Sequence, residues 1–336
     1  MGGMAVTRAL VLLVVALGSL VHVARFSGHS VEPDTSLLLR ATVPVGSRPA
    51  ALSVDTSTHV VYVTGQLDQS LSMLAGNRYA VDTVWTTGHG AQAIALDPLS
   101  HRLFVTNGDD GTVSTVTTGK VGATGTIAVG RNPWGVALVP GTDTLFVANN
   151  GDNSVSVVDT VTGKVIHTVP LTGGPGAMAL DPPAHRLYVA RYAEGGVAIL
   201  DSGTCQVVET APTGKGPVAL LVDPASHRLF VADHEAASLT IIDTVTLHTT
   251  ALHVAERPLN MAYDPERQRL YLTHRDSDVL TVVDTMAPKV TRRIRLSGVA
   301  TAVGVDPETK MVYISHHDDD ALSFLQIPAS PRNGAR

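Results

Sequence analysis

DPASHRLFVAD, residues 223–233, is the stretch on which the fold turns. An Asp-Pro pair puts a side-chain acceptor and a fixed φ at the start of a turn. An alternating run of aromatic and β-branched residues follows, as a half-buried strand requires. The phrase recurs as DTSTHVVYVTG from Asp55, DPLSHRLFVTN from Asp97, VPGTDTLFVAN from Val139 and DPPAHRLYVAR from Asp181. It continues as DPERQRLYLTH from Asp264 and DPETKMVYISH from Asp306. Of the six intervals between the seven copies, five are 42 residues and one, from Asp223 to Asp264, is 41. Such a period, with several strands in each unit, marks a repeat architecture.

Each unit reads as four short strands. In the third copy these are GVALVP, TLFVANN, SVSVVDT and KVIHTVPLTG, here called A to D. A second turn signal, the Asp-Thr run at Asp159 echoed from Asp201, Asp243 and Asp284, separates C from D. Helical periodicity is absent after residue 30. The strand-B segments Tyr62-Val63-Thr64, Phe104-Val105-Thr106-Asn107, Phe146-Val147-Ala148-Asn149, Tyr188-Val189-Ala190, Phe230-Val231-Ala232, Tyr271-Leu272-Thr273 and Tyr313-Ile314-Ser315 resemble the YVTN-type β-propeller repeat family. So do the unit starts at Val45-Gly46-Ser47-Arg48-Pro49 and Val129-Gly130-Arg131-Asn132-Pro133-Trp134-Gly135. The resemblance covers about residues 36–328 and implies an all-β, seven-bladed propeller of four-stranded antiparallel blades. The seventh unit lacks strand D, and an orphan strand, Ser36 to Val45, precedes the first unit. Pairing the two would remove both exposed edges and close the ring.

The bulk numbers exclude several classes of function. A formal charge of −6 gives no global field for nucleic acid. Cys205 is the only cysteine, so intrachain disulfides, Cys-based zinc sites and CxxCH haem attachment are ruled out. No HExxH, GxSxG or P-loop motif is present. Ala9 to Ala24 is apolar apart from Ser19 and His22 and lies between a signal-peptide core and a membrane span in length. The expected organisation is a signal peptide or membrane anchor at 1–30, a linker at 31–35, the propeller at 36–328 and a polar tail at 329–336. Either reading of the N-terminus places the propeller outside the cytoplasm, as a periplasmic, extracellular or membrane-anchored protein. The membrane would be touched only through an uncleaved N-terminus.

Strand A, rich in Ala, Gly and Val, is expected to line a narrow axis, so chemistry must sit at a mouth. His59, His101, His185 and His227 share one slot in the A–B turn and read as turn packing. On the opposite face, formed by B–C loops and D–A crossings, the crossings bring Arg48, His89, Arg131, Lys215 and Arg257, with Trp134 and Asn260 close by. Acidic B–C loops surround them. Such a ring could hold a small anion, or the same cations could simply pair with the neighbouring acids. Asp233, His274 and His316 occupy one slot in adjacent blades and are chemically competent to take a divalent metal. Adjacent strands B are on the order of 10 Å apart, however, so these side chains would have to lean together to share an ion. Two functions follow from this face. One is a binding or scaffold module for a partner protein, an envelope component or a small anion. The other is a lactonase- or lyase-like enzyme with His274, His316 and His317 as acid/base groups or ligands and Arg257 stabilising negative charge.

Overall fold

The computed structural model describes residues 13–15, 19–21, 37–118, 125–254 and 256–328. The expected N-terminal signal or anchor, the linker and the tail lie outside these residues. Within the first thirty, only Leu13–Val15 and Ser19–Val21 are described, as two short strands that pair with each other, the second meeting Met261.

The chain forms seven four-stranded antiparallel blades. Their innermost strands A are Pro49–Asp55, Ala91–Asp97, Pro133–Leu138, Pro175–Asp181, Pro217–Asp223, Pro258–Asp264 and Ala300–Asp306. Each strand A touches the strand A of the blade before and after it, and the seventh touches the first. The ring is therefore closed around an axis of small, buried residues such as Ala51, Ala93 and Ala177. Strand B supplies one buried aromatic per blade: Tyr62, Phe104, Phe146, Tyr188, Phe230, Tyr271 and Tyr313. These rings bridge blades. Tyr62 reaches Thr118 and Tyr188 reaches Thr244 of the next blade, and burial pushes both phenols up to about 12.

Both turn signals act through the same chemistry. Oδ1 of Asp97 accepts from Leu99 N at 3.1 Å, and Oδ1 of Asp306 accepts from Glu308 N at 3.1 Å. At the C–D turns Oδ1 of Asp201 and of Asp243 each accept two backbone N–H groups, the shorter at 2.7 Å. Those bonds hold both carboxyls below the usual range. The repeated histidines owe their slot to backbone conformation. His59, His101, His185 and His227 have φ of 57°, 55°, 52° and 54°, a left-handed position that histidine tolerates better than bulkier residues. His59 additionally bonds Asp306 across the ring seam at 2.7 Å.

The single 41-residue interval has a local cause. Strand D carries a β-bulge against strand C in blades one, three, four and six, and the N-terminal strand does so in blade seven. In blade five, Thr249–His253 pairs with Ser238–Leu239–Thr240–Ile241–Ile242 without a register shift. The missing residue is the missing bulge. It falls on the outermost strand and leaves the axis undisturbed.

Closure follows the sequence expectation. Leu38–Pro44 pairs antiparallel with Ala321–Gln326, from Leu38 against Gln326 to Pro44 against Ala321, with Ala41 beside Phe324. Across the seam Val45 N donates to Asp320 O at 2.8 Å, Arg48 N to Asp320 Oδ1 at 2.6 Å and Thr301 Oγ1 to Pro49 O at 2.9 Å. A chain beginning at Val45 loses this strand and bares strand C of blade seven. Its melting temperature should fall by about 10 °C or more, several kcal/mol at roughly 2–4 °C per kcal/mol. It should also self-associate on size exclusion; a monomer that melts with the full chain would refute closure.

Candidate functional site at the loop face

The last residue of strand B runs Gly65, Asn107, Asn149, Arg191, Asp233, His274 and His316 around the ring. In blades two and three this side chain ties three strands together. Asn107 Oδ1 accepts from Gly88 N at 3.1 Å while its Nδ2 donates to Ser114 Oγ at 2.9 Å. Asn149 does the same with Gly130 N at 3.1 Å and Ser156 Oγ at 2.8 Å. The three metal candidates are later members of this column. Asp233 Oδ2 accepts from Thr240 at 2.5 Å, His274 Nε2 lies 2.7 Å from Thr281 Oγ1, and His316 Nε2 lies 2.8 Å from Ser323 Oγ. Each partner hydroxyl is seven residues on, as Ser114 and Ser156 are from the asparagines. Each candidate thus turns into its own blade and is almost wholly buried.

No group of three metal-capable side chains comes together among the described residues. Asp233, His274 and His316 therefore do not surround one point, and His274 and His316 are sealed from substrate. Asp233 Oδ1, His274 Nδ1 and His316 Nδ1 are buried and make no well-formed hydrogen bond among the described residues. Burial pushes Asp233 up to about 6 and holds both histidines below their ordinary value. His317 is half-buried at the surface, its Nδ1 2.8 Å from Asp318 and its Nε2 against the Arg48 guanidinium.

The crossing cations do not form one ring. His89, Arg131 and Lys215 accept at their carbonyls from Asp109, Gly151 and Glu235, whereas Arg48 and Arg257 accept from Gln66 and Arg275. Since Gln66 stands one repeat position before Asp109, these cations occupy two staggered slots. Two of them are also spent on neighbouring acids. Asp110 accepts from His89 N at 2.7 Å, and its carboxyl is held down chiefly by that bond. Asp152 accepts from Arg131 N at 2.7 Å and from Arg131 Nε at 2.5 Å, with the same downward consequence. Lys215 and Arg257 are exposed and make no side-chain pair among the described residues. Asn260 stands apart from the mouth. It is buried on strand A, where its Oδ1 accepts from Val303 N of the next blade at 3.4 Å.

The residue just after strand B was not among the sequence candidates, apart from His317, yet it lines the mouth. This column reads Gln66, Gly108, Asn150, Tyr192, His234, Arg275 and His317. Asn150 Nδ2 donates to Pro175 O at 3.3 Å, and His234 Nδ1 lies 3.1 Å from Pro258 O, each reaching the start of the next blade's strand A. A carbonyl partner fixes the proton on Nδ1 of the buried His234 and leaves Nε2 as the ring's acceptor. Tyr192 donates to Glu235 Oε1 at 2.9 Å, and its ring stands 6.3 Å from that of half-buried Trp134, tilted by 55°. Burial, then the Glu235 bond, raises the Tyr192 phenol, and Arg257 and Arg275 oppose that rise. Burial lowers His234, and the same two arginines lower it further. Trp134, Tyr192, His234, Glu235, Arg257 and Arg275 thus share one arc over blades three to six. The sequence signal was irregularity: every blade but two places a different residue type here, directly after a strand whose aromatic is present in all seven copies.

No family model matches the chain, and no curated protein does. Among solved structures, hydrazine synthase from Kuenenia stuttgartiensis is similar, with a TM-score of 0.77 at 18% identity over 92% of this chain and all of that one. At that identity the likeness shows the fold alone: a seven-bladed β-propeller. Among the described residues no helix is long and apolar enough to cross a membrane.

The buried column sets an acid limb. His274 and His316 stay neutral in the fold below 6.5, the ordinary histidine value, while the unfolded chain takes up two protons. Stability is therefore lost as pH falls, with a slope of at most about 1.4 kcal/mol per pH unit for each histidine. Asp233 works the other way between about 6 and 3.8, since the folded chain holds a proton that the unfolded chain releases. Two protons outweigh one, so the net limb is destabilising. His274→Asn with His316→Asn installs the side chain of blades two and three. Melts between about pH 7.5 and pH 5 should show a flatter decline than the parent chain; parallel declines would refute the assignment.

Proposed function

We propose that the protein is an exported binding propeller of the YVTN type that takes a small anion, or an anionic group of a partner protein or envelope component, at the B–C/D–A face. The observation that carries this reading is the uneven use of charge around the mouth. Arg48, His89 and Arg131 are engaged by His317, Asp110 and Asp152. Among the described residues Arg257 makes no ion pair, and Arg275 has only Asp276 at 4.0 Å. Two exposed guanidiniums beside each other and short of acids favour a negative guest, which each could grip through a planar fork. The apolar segment before the propeller supports export, and the seven-copy motif supports the repeat family. Nucleic acid is disfavoured by the net charge of −6.

A second reading, a lactonase- or lyase-like enzyme, draws support from His234. Its imidazole is buried, oriented by Pro258 O and held toward the neutral form beside the same arginines, the protonation state a general base needs. This moves the acid/base assignment away from His274 and His316. A lactone panel assayed with the parent chain and His234→Asn tests it; turnover unchanged by the substitution removes His234 from the role.

Calorimetric titration with acetate and inorganic phosphate tests the binding reading. We expect saturable binding that Arg257→Ala with Arg275→Ala weakens about 10- to 100-fold, the worth of one or two charge-assisted hydrogen bonds. Arg131→Ala should leave it unchanged, and added salt should weaken it. Flat titrations of the parent chain, or equal loss in Arg131→Ala, would overturn the assignment.

A further inference from the structure

The second residue of strand A faces the axis at the mouth and reads Ala50, Gln92, Trp134, Gly176, Val218, Leu259 and Thr301 around the ring. Only blade four has no side chain there, and the blade before it carries the indole. A Cβ built on Gly176 would stand 3.3 Å from Trp134 Cε3, and one on Gly135 would stand 2.2 Å from the Gly176 carbonyl oxygen. Neither glycine has a left-handed φ. Space, rather than backbone freedom, accounts for them: they let the inner strands of blades three and four approach and let the indole lie across blade four. The indole then points toward Tyr192, whose hydroxyl is fixed by Glu235. At 6.3 Å and 55° the two rings are tilted rather than stacked, and both are only half-buried, so aromatic surface remains open to a guest. Arg257 and Arg275 act on Tyr192 from the polar side.

We infer that Trp134 and Tyr192, together with Arg257 and Arg275, form a subsite for an organic anion bearing a flat ring, an aryl or heteroaryl carboxylate. The ring packs on the indole and phenol faces, and the carboxylate meets the guanidiniums. This inference rests on the anion-binding reading above and narrows it to one chemical class. Aliphatic anions would use the arginines alone and gain nothing from the aromatic wall.

The chain has two tryptophans, and Trp85 is buried, 6.4 Å from Tyr62. In Trp85→Phe the emission reports Trp134 alone. Titration with benzoate should change that emission saturably, with affinity about tenfold above that for acetate, the size of one good aromatic contact. Trp134→Ala should abolish the preference for benzoate while acetate still binds, and Gly176→Ala, which displaces the indole, should reduce it. Calorimetry of benzoate against acetate on the unsubstituted chain repeats the comparison without any variant that must fold. Equal affinities, or emission from Trp134 that ignores benzoate, would overturn the aromatic subsite and leave anion binding standing. Silence toward acetate, phosphate and benzoate alike would remove both.

Discussion

The whole molecule depends on one strand pairing, Leu38–Pro44 laid along Ala321–Gln326. Blades of a propeller touch only their neighbours, so a ring with an open seam would expose the flank of two blades and an unpaired strand edge. Here the seam is bonded at three levels. The outer ladder is the strand pairing itself. At the A–B face His59 meets Asp306, and near the mouth Thr301 reaches Pro49 while Asp320 holds Val45 and Arg48. Residues nearly 300 apart in sequence thereby complete the same mouth. The ends of the propeller are thus structural parts of the loop face.

Once the ring is closed, most of its polar residues are already committed. The carboxylates that end strand A satisfy backbone N–H groups of their own turns, and so do those that end strand C. At the mouth, Asp68, Asp110 and Asp152 accept from the backbone of the crossings at Ser47, His89 and Arg131. A buried or turn-bound N–H left unpaired is costly, and these acids are the local means of avoiding it. An acidic rim around basic crossings therefore arises from turn chemistry in blades one to three. The arc from blade three to blade six departs from that pattern, because Ala236 and Ser277 replace the capping acids of blades five and six. Among the described residues Arg257 makes no ion pair there, and Arg275 has only Asp276 at 4.0 Å.

The fold was legible because its determinants are local and repeated. Asp-Pro turns, alternating β-branched runs and the absent seventh strand D each have a physical reading that needs no neighbour in space. Even the short interval has such a cause, the missing bulge in Thr249–His253. The site was less legible because at a loop face one residue decides which way a side chain points. Arg257 is exposed and Asn260, three residues on, is buried in the strand. His89 and Arg48 looked alike as crossing cations, yet they sit in successive slots. The pairing of His274 and His316 with adjacent blades suggested a metal. Their column carries Asn107 and Asn149 in blades two and three and always has a hydroxyl seven residues on where it carries Asn, Asp or His, which identifies them instead as asparagine substitutes. That comparison was available in the sequence, whereas the Pro258 carbonyl that orients His234 was not.

A near-symmetric ring sets seven near-identical positions around its mouth, which cannot all be specific for anything. Recognition needs the symmetry broken, and the breaks must be cheap for the scaffold to tolerate. The columns that carry the strands barely vary: an aromatic in every strand B, a small or apolar residue through most of strand A. Variation is concentrated at the loop face, and two of its columns are the second residue of strand A and the residue following strand B. Trp134, Tyr192, His234 and Arg275 all fall in these two columns. Gly176 shows that the breaks are correlated, since the indole of one blade occupies the space its neighbour gave up. Compensating changes in adjacent blades are what a selected surface on a repetitive frame should display, and they lie on the arc where the arginines are unspent.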